Sequence, residues 1–88
     1  MKMYKTVICR DGFRLSVQAS QSHYCSPKSD TGPYYSVEVY SDGSEPLLNA
    51  GDDGISGWTS SETLMKVITK HGGRVKGEIP PLAFKRAN

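Results

Sequence analysis

Eighty-eight residues suffice for one domain and leave no room for two independent cores. A composition of 36% hydrophobic and 23% charged residues excludes extensive disorder, and a net charge of +2 is too weak to mark a nucleic-acid binder by itself. So small a core implies marginal stability, so that monomer and homodimer are both open. Residues 1–10 lack the apolar core of a signal peptide and no apolar run approaches a bilayer span. The expectation is a cytoplasmic chain without membrane contact, with Cys9 and Cys25 reduced.

Residues 3–9 read as a strand rich in Val, Ile, Thr and Tyr, closed by Asp11-Gly12, the signature of a primed hairpin turn. Phe13, Leu15, Val17 and Ala19 then alternate with Arg14, Ser16, Gln18 and Ser20, a strand with one buried and one wet face. Residues 20–33 form a loop dominated by Ser, Pro, Asp and Gly. A third strand follows over residues 34–41. Alternation turns Tyr35, Val37 and Val39 inward and Tyr34, Ser36, Glu38 and Tyr40 outward. Asp42-Gly43 signals a second turn, whose return strand is short at best because Pro46 lacks a ladder donor.

Residues 49–57 are expected to be exposed and mobile. Thr59-Ser60-Ser61-Glu62 matches a capping box, with Thr59 as the cap and Glu62 reaching back. Leu64, Val67, Ile68 and His71 recur at helical spacing, and Gly72-Gly73 closes a helix over residues 60–71. A last strand over residues 74–79 sets Val75, Gly77 and Ile79 against Arg74, Lys76 and Glu78, and Pro80-Pro81 stops it. Residues 79–88 end the single domain as a packed extension or a loose arm. The order β-β-β-(β)-α-β predicts an α+β fold, a small, mostly antiparallel sheet covered on one face by one helix. Arg14, Gln18, Glu38 and Tyr40 would lie on the other face.

Motifs for chemistry are weak. Cys9, His23, Cys25 and His71 are metal-ligand types, but they lack the close pairs of structural zinc sites. A Cys9–Cys25 disulfide is sterically open but disfavoured by a reducing compartment. A Cys25 nucleophile served by His23 or His71 would need a lowered pKa and an oxyanion site, for which no residues are evident. Gly51, Gly54 and Gly57 lack the Lys-Ser or Lys-Thr of a phosphate loop, and Asp52-Asp53-Gly54 lacks the ligand spacing of a calcium loop. No enzymatic activity, cofactor or metal is therefore expected.

Charge and aromatic residues are more informative. Asp42, Glu45, Asp52 and Asp53 form an acidic stretch, whereas Lys66, Lys70, Arg74, Lys76, Lys85 and Arg86 make the last third basic. Tyr24, Tyr34, Tyr35 and Tyr40 cluster on one loop–strand segment, and Trp58 precedes the helix. Three readings fit: Tyr35 and Trp58 in the core with the others packing edges, a protein-contact patch, or a base-stacking platform.

The stretch Asp11-Gly12-Phe13-Arg14-Leu15-Ser16-Val17-Gln18-Ala19-Ser20 continues through His23-Tyr24-Cys25-Ser26-Pro27, Gly32-Pro33-Tyr34 and Val37-Glu38-Val39. Together with His71-Gly72-Gly73 it resembles a group of short bacteriophage and prophage accessory proteins. That resemblance implies a class that binds and blocks or redirects a host machine, in the style of anti-CRISPR and other anti-defence inhibitors, in the host cytoplasm. The leading expectation is thus a non-enzymatic module contacting a host protein or ribonucleoprotein complex through Tyr24, Tyr34, Tyr40, Asp42, Glu45, Asp52 and Asp53. The alternatives are a nucleic-acid-binding accessory protein, using Lys66, Lys70, Arg74, Lys76, Lys85 and Arg86, and a small zinc-binding or hydrolytic domain.

Overall fold

A computed structural model describes residues 2–85 of the chain. The strands are β1 (Val7–Cys9), β2 (Arg14–Gln18), β3 (Ser36–Tyr40), β4 (Ile55–Ser60) and β5 (Arg74–Lys76), and the helix α1 (Ser61–Lys70) lies between β4 and β5. They form one five-stranded sheet in the order β4-β3-β2-β1-β5, with every neighbouring pair antiparallel. The first four strands make a meander, and α1 carries the chain from one sheet edge to the other. This is the expected α+β arrangement. No helix is long and apolar enough to cross a membrane among the described residues.

The core is where the two periodicities meet. Val7, Cys9, Leu15, Val17, Val37 and Val39 point to one sheet face, and Leu64, Val67 and Ile68 of α1 join them in one buried cluster. Each fully buried side chain of this kind contributes about 1.5–3 kcal/mol relative to exposure. The helix starts one residue later than the capping box implies. Ser60 is the cap, its hydroxyl accepting from the Thr63 amide at 3.0 Å. Thr59 is buried in β4, donating to the Ser56 carbonyl at 3.1 Å. Glu62 does not close a box; it accepts from the Lys85 amide at 2.9 Å. The other end behaves as expected, with the Gly73 amide returning to the Ile68 carbonyl at 2.9 Å.

Several sequence expectations are corrected. The β1–β2 turn is a three-residue loop in which the Cys9 amide donates to the Phe13 carbonyl at 2.8 Å and Gly12 alone has positive φ, so it is not a primed turn. Gln18 is buried rather than wet, because residues before β1 cross over it: its amide group pairs with the Tyr4 backbone at 2.9 and 2.8 Å. Part of the segment expected to be mobile, from Ile55 onward, is strand β4. β5 ends at Lys76 rather than at 79. Gly77 has φ 98° and runs so close to Thr6 and Val7 that any side chain there would overlap the β1 backbone. Val75, expected inward, is 54% exposed.

Tyr34 and Tyr35 exchange the faces that alternation assigns them. Tyr34 is 1% exposed, and Tyr35 is turned to solvent. The amides of Tyr35 and Ser36 both donate to the Ser26 carbonyl, at 2.8 and 3.3 Å. Two successive donors on one acceptor insert an extra residue into the ladder and invert the side-chain phase before it. Tyr34 is thereby an anchor. Its hydroxyl donates to the Ser29 carbonyl at 2.7 Å, its amide to the Pro81 carbonyl at 2.8 Å, and its carbonyl accepts from the Ala83 amide and the Ser61 hydroxyl at 2.7 and 2.8 Å. Through residue 85 the C-terminal segment is a packed extension.

Candidate functional site

The site begins with an irregularity in β4. Val39 pairs with Ser56 and Val37 with Thr59, so Gly57 and Trp58 together oppose Glu38. That bulge keeps Ser56 and Thr59 facing inward, with their hydroxyls 2.7 Å apart, and turns Trp58 out. Trp58 has φ 47°, the one non-glycine residue at positive φ among the described residues. Its amide donates to the Tyr24 carbonyl at 2.9 Å, and its ring stacks on the Tyr24 ring with centroids 4.9 Å apart. Tyr24 lies so close over Gly57 that a β-carbon there would come within 3.0 Å of its own. The Tyr24 amide donates to Glu38 at 2.9 Å, and the Lys28 ammonium lies 5.6 Å from the Tyr24 ring centroid.

Both rings are presented to solvent, Tyr24 at 47% and Trp58 at 58% exposure. The core alternative for Tyr35 and Trp58 is thus overturned. Beside Trp58 runs a groove of about 300 Å³ whose lining also includes Leu47, Asn49, Ser60 and Thr63. Tyr40 is exposed too, but it lines a separate cleft of about 230 Å³ with Arg14, Ser16 and Thr6. The expected tyrosine patch is therefore divided: Tyr24 belongs with Trp58, Tyr40 with Arg14, and Tyr34 is buried.

The acidic stretch is divided as well. Asp42, Asp52 and Asp53 are exposed, with Asp42 accepting from the Ser44 amide at 2.9 Å and Asp53 from the Ile55 amide at 2.9 Å. Glu45 is instead buried, its side chain only 1% exposed, so it cannot serve as a contact residue. It accepts from the Leu47 amide at 2.8 Å, from Lys70 at 3.0 Å and from His71 Nε2 at 2.7 Å. The other His71 nitrogen meets Asp11 at 2.6 Å, and Phe13 stacks on the imidazole at 4.2 Å. The Leu47 amide, followed by Lys70 and His71, pulls the Glu45 pKa down to about 2. Asp11 and then Glu45 raise that of His71. With a carboxylate on each nitrogen, His71 is held as an imidazolium, without a lone pair for a metal or a substrate proton.

Cys9, His23, Cys25 and His71 do not converge, and no group of three His, Cys, Asp or Glu suited to a metal ion occurs among the described residues. Both thiols are free and buried, and burial followed by the Asp11 charge raises the pKa of Cys9. His23 Nδ1 lies 2.7 Å from the Ser20 hydroxyl, but Ser20 is buried beneath the loop, where the pair ties the chain together. Of the basic residues, Lys70 is paired with Glu45 and Arg74 donates to the Gly77 carbonyl at 2.7 Å, while Lys66, Lys76 and Lys85 are exposed; Arg86 lies outside the described residues. Trp58 and Leu47 are the surface residues that sequence reasoning did not place. The bulge and the folded loop that present them have no periodic signature. Neither a family model, nor a curated protein, nor a solved structure matches this chain.

Proposed function

We propose that this chain is a non-enzymatic protein-binding module whose contact surface is the Tyr24–Trp58 pair, flanked by Lys28 and Leu47. The observation that carries the reading is an exposed tryptophan held at φ 47°. That backbone costs about 1–2 kcal/mol for a residue with a β-carbon. Strained, solvent-facing aromatics concentrate at binding sites, and Trp and Tyr dominate interface hot spots because they bury large areas with few rotatable bonds. The resemblance to short phage accessory proteins supports a host macromolecular complex as the target, blocked or redirected by occupation.

Capture from host lysate tests the reading, comparing the wild-type chain with a Tyr24→Ser/Trp58→Ser double variant and with Asp52→Asn/Asp53→Asn. A specific partner should be lost with the aromatic variant and kept with the acidic-loop variant. Equal recovery by all three removes the aromatic surface.

A further inference from the structure

The sheet face opposite the core holds the second cleft, separate from the Tyr24–Trp58 surface and lined by Thr6, Arg14, Leu15, Ser16, Tyr40 and Ser41. We propose that it is a binding site for a small oxyanion, a phosphate or carboxylate group, held by the Arg14 guanidinium with the Ser16, Thr6 and Tyr40 hydroxyls around it.

Sheet register brings these groups together from three stretches of chain. Ser16 of β2 pairs with Tyr40 of β3. The β1–β2 register sets Val7 against Leu15, and one residue earlier it sets Thr6 against Ser16. Three hydroxyl residues thus form one row across neighbouring strands, about 4.8 Å from one to the next. Arg14, two residues from Ser16 on the same strand, projects from the same face. The row is held in place. Gln18 Nε2 donates to the Ser16 hydroxyl at 2.9 Å, which leaves the Ser16 proton to be donated outward. The Tyr40 ring lies so close over Gly54 that a β-carbon there would come within 3.2 Å of it.

The hydroxyls can donate or accept, so charge rather than hydrogen-bond capacity chooses the ligand. Arg14 is a permanent cation with donors only, and its side chain makes no hydrogen bond or ion pair among the described residues. No carboxylate lines the cleft among the described residues. Glu38, two residues along β3 from Tyr40, accepts from the Tyr24 amide at 2.9 Å, and Glu78 accepts from the Lys5 amide at 3.1 Å. Lys76 adds a second cation to this face. Ile8 pairs with Arg14 on one side and with Lys76 on the other, and Lys76 is also unpaired among the described residues. A cationic ligand would be repelled here. A neutral one would leave the guanidinium with hydrogen bonds about half as strong as those to an anion. The volume, about 230 Å³, lies below the roughly 300–1,000 Å³ of sites for drug-sized molecules, so the cleft suits a single anionic group.

The test is a nuclear magnetic resonance titration of the ¹⁵N-labelled full chain at fixed pH, with sodium chloride balancing the ionic strength. The probes are inorganic phosphate and acetate, and acetamide is the uncharged comparison. Phosphate or acetate should give saturable shifts of the Arg14 Nε–H and of the Ser16 and Tyr40 amides, and the tighter of the two names the group. Arg14→Gln should weaken that binding roughly tenfold or more. Arg14→Lys keeps the charge but not the planar fork and should weaken it roughly threefold. The site is overturned by the absence of saturable shifts with both anions or by an equal response to acetamide. Shifts as large at the exposed Lys66 as at Arg14, or unchanged affinity in both Arg14 variants, would overturn it as well.

Discussion

Trp58 and Glu45 break opposite rules, one a large apolar ring in solvent and the other a carboxylate in the interior. For Trp58 the backbone conflict yields a discriminating prediction. Trp58→Gly relieves the left-handed strain, worth about 1–2 kcal/mol, and forfeits the Tyr24 stack, worth about 0.5–1.5 kcal/mol. The two nearly cancel. Urea denaturation should place the variant within about 1 kcal/mol of wild type, while partner capture is abolished. A loss beyond about 3 kcal/mol, the range of core aromatic deletions, would make Trp58 a packing residue and undercut the proposed surface. Tyr34 belongs on the other side of that line. Tyr34→Phe strands the Ser29 carbonyl contact and should lower stability by about 1 kcal/mol without touching binding.

At the scale of elements, the strands and helix that keep a strict period are the ones legible in the sequence. β2 shows its two faces through Leu15 and Val17, and α1 its buried stripe through Leu64, Val67 and Ile68. Leu64→Ala should therefore cost about 2–5 kcal/mol in denaturant melts, enough to unfold much of a domain this small. Ser60→Ala removes the observed helix cap and should cost about 0.5–2 kcal/mol. What could not be read is what bulges rearrange. The double donation to Ser26 inverts Tyr34 and Tyr35. The Gly57–Trp58 bulge places two hydroxyl residues, rather than apolar ones, on the buried face of β4. An inserted residue changes the phase without changing composition, so no window of sequence registers it. The candidate surface was half legible for the same reason: Tyr24 and Trp58 stand out as residue types, but their stacking depends on that bulge.

Over the whole molecule, one ionic cluster joins parts that are far apart in the chain: Asp11 in the β1–β2 turn, Glu45 in the β3–β4 connection, and Lys70 and His71 at the end of α1. The same connection carries Leu47, whose amide Glu45 holds, so the cluster also fixes one wall of the groove. Its pH dependence follows from the shifts. His71 is raised above its ordinary 6.5, so its contribution is complete below pH 6.5 and fades as pH rises through the higher folded value. Glu45 is lowered from 4.5 to about 2, so its contribution is complete above pH 4.5 and fades as pH falls toward 2. Asp11, lowered from 3.8, acts in the same sense as Glu45. Stability should therefore peak between about pH 4.5 and 6.5 and decline on the alkaline side. His71→Gln should flatten the alkaline decline while leaving an acid decline due to Glu45. Thermal melts from pH 3 to 9 would show this. An alkaline limb that survives in His71→Gln would mean another group titrates there, and the three segments would not be held by the imidazolium.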